Sequence, residues 1–353
     1  MIYNLTKDNI KFIGRTYYYN DTLWCGLSGS GISFTFTGTK ASITLIGDDS
    51  TQGVETEGKA RVGIYVNHTR VVDTMMDSPE KTFCVYESEV EKEITIQIIK
   101  LSECAMSTVG IKTLDIESAN GIAPTPNKTH RIEFIGDSIT CGYGVDLEVA
   151  ETNFTTDTED MTKAYAYKTA MNLDADYSMV SFSGYGIISG FTDHDEKVTN
   201  ELVPPYYDKV GFSYAKPCGT VELHAIPWDF NEFRPELIVI NLGTNDDSYC
   251  QDKKERQAEF TAEYVNFLKK VRSYNENVPI ICTVGMMGER IFDAVEQAVN
   301  DYKASTNDQF VYSMKFTEQL PEDGYAVSYH PTELTHTKAA AVLTDKIREI
   351  MKW

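Results

Sequence analysis

Two incompatible spacings of apolar residues divide this 353-residue chain, and they dictate two different kinds of sheet. In the first third, apolar and polar residues alternate. Ile32, Phe34 and Phe36 interleave with Ser33, Thr35 and Thr37 ahead of a Gly38-Thr39 turn signal, and Ala41, Ile43 and Leu45 continue the alternation. Val62, Ile64 and Val66 repeat it, as do Ile94, Ile96 and Ile98. A period of two puts one face in a core and the other in water, so short runs broken by Gly, Asn and Asp predict an antiparallel sandwich over residues 1–122. Beyond residue 130 the apolar runs become continuous, at 131–137, 177–184, 236–246, 278–287 and 310–316. Between and after them, Phe260, Tyr264, Phe267, Leu268 and Val271, and later Val342, Leu343, Ile347, Ile350 and Met351, recur at helical spacing. Strands apolar on both faces, alternating with amphipathic helices, predict a parallel sheet covered by helices over 131–353. The stretch 123–130, with Pro124 and Pro126, reads as the linker.

Composition narrows the partners. A net charge of −21 opposes binding to nucleic acid, anionic membrane surfaces or phosphorylated ligands. A neutral ligand is indifferent to it. No apolar run is long enough to span a bilayer, and residues 1–14 lack the basic start and apolar run of a secretory leader. The seven cysteines are odd in number, scattered and without a C-x-x-C pair, which predicts separately buried, reduced thiols rather than disulfides or a structural zinc site. These features together predict a cytoplasmic protein. His and carboxylate residues do not recur at ligand spacing, so neither a metal nor another cofactor is expected; homo-oligomer formation is left open.

In a parallel sheet with helices on both faces, ligands bind beyond the carboxyl ends of the strands. Three polar signatures fall there: Gly136-Asp137-Ser138, Ser183-Gly184 and Gly243-Thr244-Asn245-Asp246. Ser138 stands at the start of a predicted helix, where free backbone N–H groups can stabilise an anion. The alternative use of Asp137 and Ser138 is as helix caps. An Asx turn is the alternative use of Asn245. Of the six histidines, His330 precedes Pro331, which biases it toward an extended loop just ahead of the last helix. His336 is the rival, within that helix or its cap. A neutral imidazole beside Ser138 would serve as general base and then as acid.

The run Gly136-Asp137-Ser138-Ile139-Thr140, the later Gly243-Thr244-Asn245-Asp246 and the C-terminal His330-Pro331 resemble the SGNH hydrolase superfamily. The resemblance implies a flavodoxin-like α/β/α domain with Ser138 as nucleophile. It also implies an oxyanion hole formed by the backbone N–H of the first block, Gly184 and Asn245, with Gly186 the alternative to Gly184. The chain departs from that pattern at Val327, three residues before His330, where the superfamily usually places an aspartate. Either a Ser–His dyad works with a backbone carbonyl orienting the imidazole, which is the preferred expectation, or an acid arrives from elsewhere in the chain; Asp323 and Glu322 are the nearest acids in sequence.

Phe12-Ile13-Gly14-Arg15, residues 23–32, Ser183-Gly184-Tyr185-Gly186-Ile187 and Trp228-Asp229-Phe230 resemble carbohydrate esterase family 2 in particular. That implies a jelly-roll sandwich joined to the α/β domain and a serine esterase deacetylating sugars such as acetylated xylo-oligosaccharides. Trp228 is then a candidate sugar platform, with core packing its alternative role. The connection 191–227 is expected to wall the cleft, and the acidic insertion 146–160 reads as a lid, an oligomer arm or a solvated loop, the last two preferred. The competing functions are another small-acyl esterase, lipase or thioesterase of the superfamily, and a non-catalytic carbohydrate-binding protein.

Overall fold

The structure, a computed structural model, describes residues 1–52 and 58–353. Its first sheet is antiparallel throughout and is built on three long strands, Gly31–Gly47, Glu80–Lys100 and Val109–Pro124. Arg61–Val66 and Thr69–Met75 extend it on one side, and Thr22–Cys25 and Thr16–Tyr19 on the other. The alternating residues share one core: Ile32, Phe34, Phe36, Ala41, Ile43, Leu45, Val62, Ile64, Ile94, Ile96 and Ile98 are all buried, and Val66 packs at its margin. Each fully buried aliphatic side chain contributes about 1.5–3 kcal/mol, which makes this alternation the main source of the unit's stability.

The expected turn at Gly38-Thr39 is not there. One strand runs through these residues, and its register slips against both neighbours between Gly38 and Lys40. A Cβ at Gly38 would lie 1.9 Å from the Glu117 carbonyl oxygen, so glycine here serves close backbone approach at a bulge. The expected linker shrinks because strands extend into it from both sides: Pro124 still pairs with Phe34, and the next strand opens at His130.

The second sheet has five parallel strands in the order Ala175–Ser181, His130–Gly136, Leu237–Asn241, Ile280–Val284, Val311–Lys315. Every residue of Leu237–Asn241 and Ile280–Val284 is buried, as their continuous apolar runs demand. Four of the helices pack in two pairs: Tyr165–Asn172 with Glu333–Met351, and Lys254–Tyr274 with Phe292–Thr306. Phe260, Tyr264, Phe267, Leu268 and Val271 form the buried stripe of Lys254–Tyr274. In Glu333–Met351 the stripe is carried by Ala339, Leu343 and Ile347, whereas Val342 is 47% exposed. Because His130–Gly136 is flanked by strands that follow it in sequence on both sides, the chain reverses its winding there. That reversal opens a crevice at the carboxyl ends of three adjacent strands.

Cα packing divides the described chain into two compact units. One comprises Met1–Asn127, Thr155–Glu159 and Lys209–Trp228, and the other Lys128–Phe154, Asp160–Asp208 and Asp229–Trp353. Two short segments thus leave the sequence span of the α/β part. Thr156 Oγ1 donates to the Lys59 carbonyl at 2.6 Å, and Arg15 Nη1 donates to the Lys209 carbonyl at 2.6 Å. Among the described residues all seven cysteines are free; five are buried as expected, but Cys84 and Cys218 are exposed. No helix among the described residues is long and apolar enough to cross a membrane.

Candidate active site

Strand register explains why three distant blocks meet. Gly136 lies opposite Ser181 on one side and Asn241 on the other, so the loops that follow all three leave the sheet at one level. The first begins with Asp137, whose side chain accepts the Ile139 N–H at 3.0 Å and caps the short helix Ser138–Cys141. Capping is therefore real, but Asp137 alone does it. Ser138 points elsewhere: its Oγ lies 2.8 Å from His330 Nε2.

His330 follows the single turn Val327–Tyr329 and precedes the helix Glu333–Met351, in the loop that Pro331 predicts. Its Nδ1 lies 3.1 Å from the Val327 carbonyl oxygen and 3.2 Å from that of Ser328. Carbonyls only accept, so Nδ1 carries the proton and donates, which leaves Nε2 bare to accept from the Ser138 hydroxyl. Burial pushes the His330 pKa down to about 4, with the two carbonyls acting in the opposite direction. The neutral form that a general base requires is thereby favoured. No carboxylate is among the ring's hydrogen-bond partners in the described residues. Asp323, one of the two acids nearest in sequence, holds Lys338 Nζ at 2.7 Å with both oxygens.

The position of the absent acid is closed by packing. Val327 is fully buried, and a Cβ added to Gly144 would lie 2.4 Å from its Cβ. Gly144 has φ +64°, a second reason for glycine there. His336, the rival histidine, is buried within Glu333–Met351, and its Nδ1 accepts the Tyr165 N–H at 3.2 Å. It thus caps the helix that starts at Tyr165, a structural use.

Gly184 has φ +81° and no side-chain clash to avoid, so the left-handed backbone is what requires glycine. Neither its N–H nor that of Ser138 donates to another group among the described residues. The Gly186 N–H, the alternative donor, is spent on the Glu201 carbonyl at 3.1 Å. Asn245 lies in the first turn of Thr244–Cys250 and makes no Asx turn. Its Nδ2 reaches across to the Tyr185 carbonyl at 2.8 Å and to Asp137 Oδ2 at 3.4 Å. The second of these is the longer and weaker contact. Trp228 belongs to the antiparallel unit, where the Arg15 guanidinium covers its ring at 5.3 Å.

Several contributors escape sequence reasoning. Asp246 is buried and accepts from Ile187 N–H at 2.9 Å, Ile188 N–H at 2.7 Å and Ser189 N–H at 3.1 Å, fixing the loop that carries Gly184. Burial raises its pKa to about 6 against the lowering effect of those three donors, and burial raises Asp137 to about 7. The Tyr143 ring stacks on His330, with centroids 4.2 Å apart, and Phe154 stacks on Tyr143 at 3.8 Å. The signals were present but unspecific: an acid directly after Asn245, an aromatic five residues after Ser138, and the sole aromatic of 146–160.

The chain is similar to known proteins along most of its length. Residues 12–126 match the carbohydrate esterase 2 N-terminal family, and residues 132–343 match the GDSL-like lipase/acylhydrolase family. The cellulase/esterase CelE of Acetivibrio thermocellus is 29% identical over 334 residues, covering 93% of this chain but only 38% of CelE. An acetylxylan esterase / glucomannan deacetylase of Cellvibrio japonicus is 24% identical over 349 residues, 98% of this chain and 90% of that protein. A solved family two carbohydrate esterase from Clostridium thermocellum, in complex with cellohexaose, superposes with a TM-score of 0.82 at 28% identity, covering 98% of this chain and 99% of that one. With the Ser138, Asn245 and His330 blocks drawn together on a five-stranded parallel sheet and residues 132–343 matched, the chain belongs to the GDSL-like lipase/acylhydrolase family, while residues 12–126 of its antiparallel unit are similar to the N-terminal domain of carbohydrate esterase family 2.

Proposed function

We propose that this chain is a serine esterase that removes acetyl groups from acetylated sugars, with xylo-oligosaccharides as the first substrate to test. The observation that carries the reading is the 2.8 Å contact between Ser138 Oγ and a His330 Nε2 that must be an acceptor. As Oγ bonds to the ester carbonyl carbon, Nε2 takes the Oγ proton and the carbonyl electron pair moves onto oxygen. The Ser138 and Gly184 N–H groups and the Asn245 amide stabilise that oxyanion. The imidazolium then returns the proton to the sugar oxygen as the C–O bond breaks. A water molecule, deprotonated by His330, adds to the acetyl-enzyme carbonyl, and the imidazolium returns that proton to Ser138 Oγ as the bond from Oγ to the acyl carbon breaks and acetate leaves. The sequence of steps uses no metal and no cofactor.

The sugar is inferred from relatives: a glucomannan and xylan deacetylase, and a structural neighbour with a bound cello-oligosaccharide. Trp228 is carried as a candidate sugar contact, for which Trp228→Ala should raise KM and spare kcat. The seven free thiols support a reducing compartment such as the cytoplasm. A p-nitrophenyl ester series from acetate to butyrate, followed by acetate release from acetylated xylo-oligosaccharides, tests the reading. Preference for acetate by about tenfold or more supports it. Preference for butyrate would favour a lipase, and binding of the oligosaccharide without hydrolysis a carbohydrate-binding protein.

A further inference from the structure

A dyad histidine lacks two things that a carboxylate supplies: a fixed ring plane and a countercharge for the imidazolium. The carbonyls of Val327 and Ser328 fix the tautomer, but they sit on a backbone that itself needs holding. Ser328 and Tyr329 have φ values of +52° and +59°, both in the left-handed region that non-glycine residues avoid. Three contacts hold this strained turn, and two of them come from the acidic insertion. The Ser328 N–H donates to the Ala150 carbonyl at 2.9 Å, and the Tyr329 hydroxyl donates to Glu151 Oε1 at 3.0 Å. Gln319 Nε2 donates to the Tyr329 carbonyl at 2.8 Å. Three residues further on, Phe154 stacks on Tyr143 with ring planes 13° apart, and Tyr143 in turn lies on the imidazole at 28°.

We propose that Tyr143 and Phe154, with the 150–151 backbone and side-chain contacts, form a positioning clamp on His330 that takes over both duties of the missing acid. The stack fixes the plane in which Nε2 faces Ser138. The π-face of Tyr143 supplies the countercharge when the ring becomes imidazolium, because an aromatic face attracts a cation within about 6 Å of its centroid. The stretch 150–154 of the insertion is then part of the site's support and not a solvated loop. This inference rests on the proposed role of His330 as general base.

The test uses the full chain with Tyr143→Leu, Tyr143→Phe and Phe154→Leu, read by kcat and KM on p-nitrophenyl acetate, by the pH profile, and by NMR titration of the His330 ring. Tyr143→Leu should lower kcat about tenfold or more at little changed KM, and should move the His330 titration to lower pH. Tyr143→Phe, which keeps the ring, should recover most of the rate and the titration. Phe154→Leu should fall between the two. A rise in KM at constant kcat would make Tyr143 a substrate contact instead and overturn the proposal. So would a Tyr143→Leu chain with an unmoved titration, or a Tyr143→Phe chain as slow as Tyr143→Leu. His330→Ala in parallel separates the two claims: substantial activity there defeats the base assignment, whereas the titration reads the clamp without reference to turnover.

Discussion

Replacing Gly144 by alanine asks how tightly the carbonyl support of His330 is held. The added Cβ would meet Val327 Cβ at 2.4 Å and Cγ2 at 2.9 Å, whereas carbons pack at about 3.5–4.0 Å. Something must therefore move by roughly 1 Å, the shortfall against that packing distance. Val327 is fully buried, so the strain passes to its own backbone, including the carbonyl that accepts His330 Nδ1–H at 3.1 Å. Overpacking of this kind costs about 1–3 kcal/mol. Holding alanine at φ +64° adds about 1–2 kcal/mol. The sum, about 2–5 kcal/mol, corresponds to a melting temperature lowered on the order of 10 °C in a unit of this size. A misplacement near 1 Å at a catalytic group costs about 10²-fold in rate. Thermal melts and steady-state kinetics on p-nitrophenyl acetate read both effects, and kcat should fall far more than KM changes. Adding Val327→Gly to the same chain removes both offending atoms and should return part of the rate. A Gly144→Ala protein that loses the expected stability yet keeps kcat within about threefold would refute the reasoning, because the Val327 carbonyl would then not be what orients the imidazole.

Asn245→Ala should lower kcat about 10²–10³-fold with little change in KM, since an oxyanion donor acts chiefly in the transition state; a raised KM at constant kcat would make Asn245 a ground-state contact. With the His330 pKa lowered from 6.5 to about 4, the neutral base persists as pH falls, so the acid limb of kcat/KM should titrate near 4 and not near 6.5. The same sign governs stability: what His330 contributes is complete above its unfolded pKa and is lost as pH falls through the folded one. Asp323→Ala and Glu322→Ala should leave kcat nearly unchanged, although the first breaks the Lys338 pair and should show a modest loss in the melt. A large kcat loss in either would mean that an acid acts on the imidazole after all.

Much of this architecture is legible in the residue pattern, because burial on one face or on two writes different spacings into a strand. The alternation at 32–45 and the continuous run at 237–241 lead directly to the antiparallel and parallel sheets. The site is legible where it sits at strand ends: Ser138, Gly184 and Asn245 follow three strands that turn out to be adjacent. What stayed hidden depends on contacts between residues far apart in sequence. Gly38 looks like a turn until the Glu117 carbonyl is seen against it. Asp246 looks like an acidic helix start until three N–H groups from 187–189 converge on it. The segment 146–160 looks solvated because its charges dominate its composition, while its one aromatic ring carries the contact that matters. Val327, by contrast, gave advance notice: an apolar residue in the usual place of the acid predicts a carbonyl-oriented histidine, and the Nδ1 contacts have that form.

The central claim is that Ser138 carries the acyl group. Rapid-quench mass spectrometry during turnover of p-nitrophenyl acetate tests it most directly. A burst of p-nitrophenol is expected, together with an acetyl-sized mass increase on the peptide containing Ser138. Both should vanish in Ser138→Ala, whose kcat should fall by several orders of magnitude with an unchanged melt, and His330→Ala should be as damaging. An acetyl group trapped on any other residue, or a Ser138→Ala protein within about tenfold of the parent rate, would contradict it.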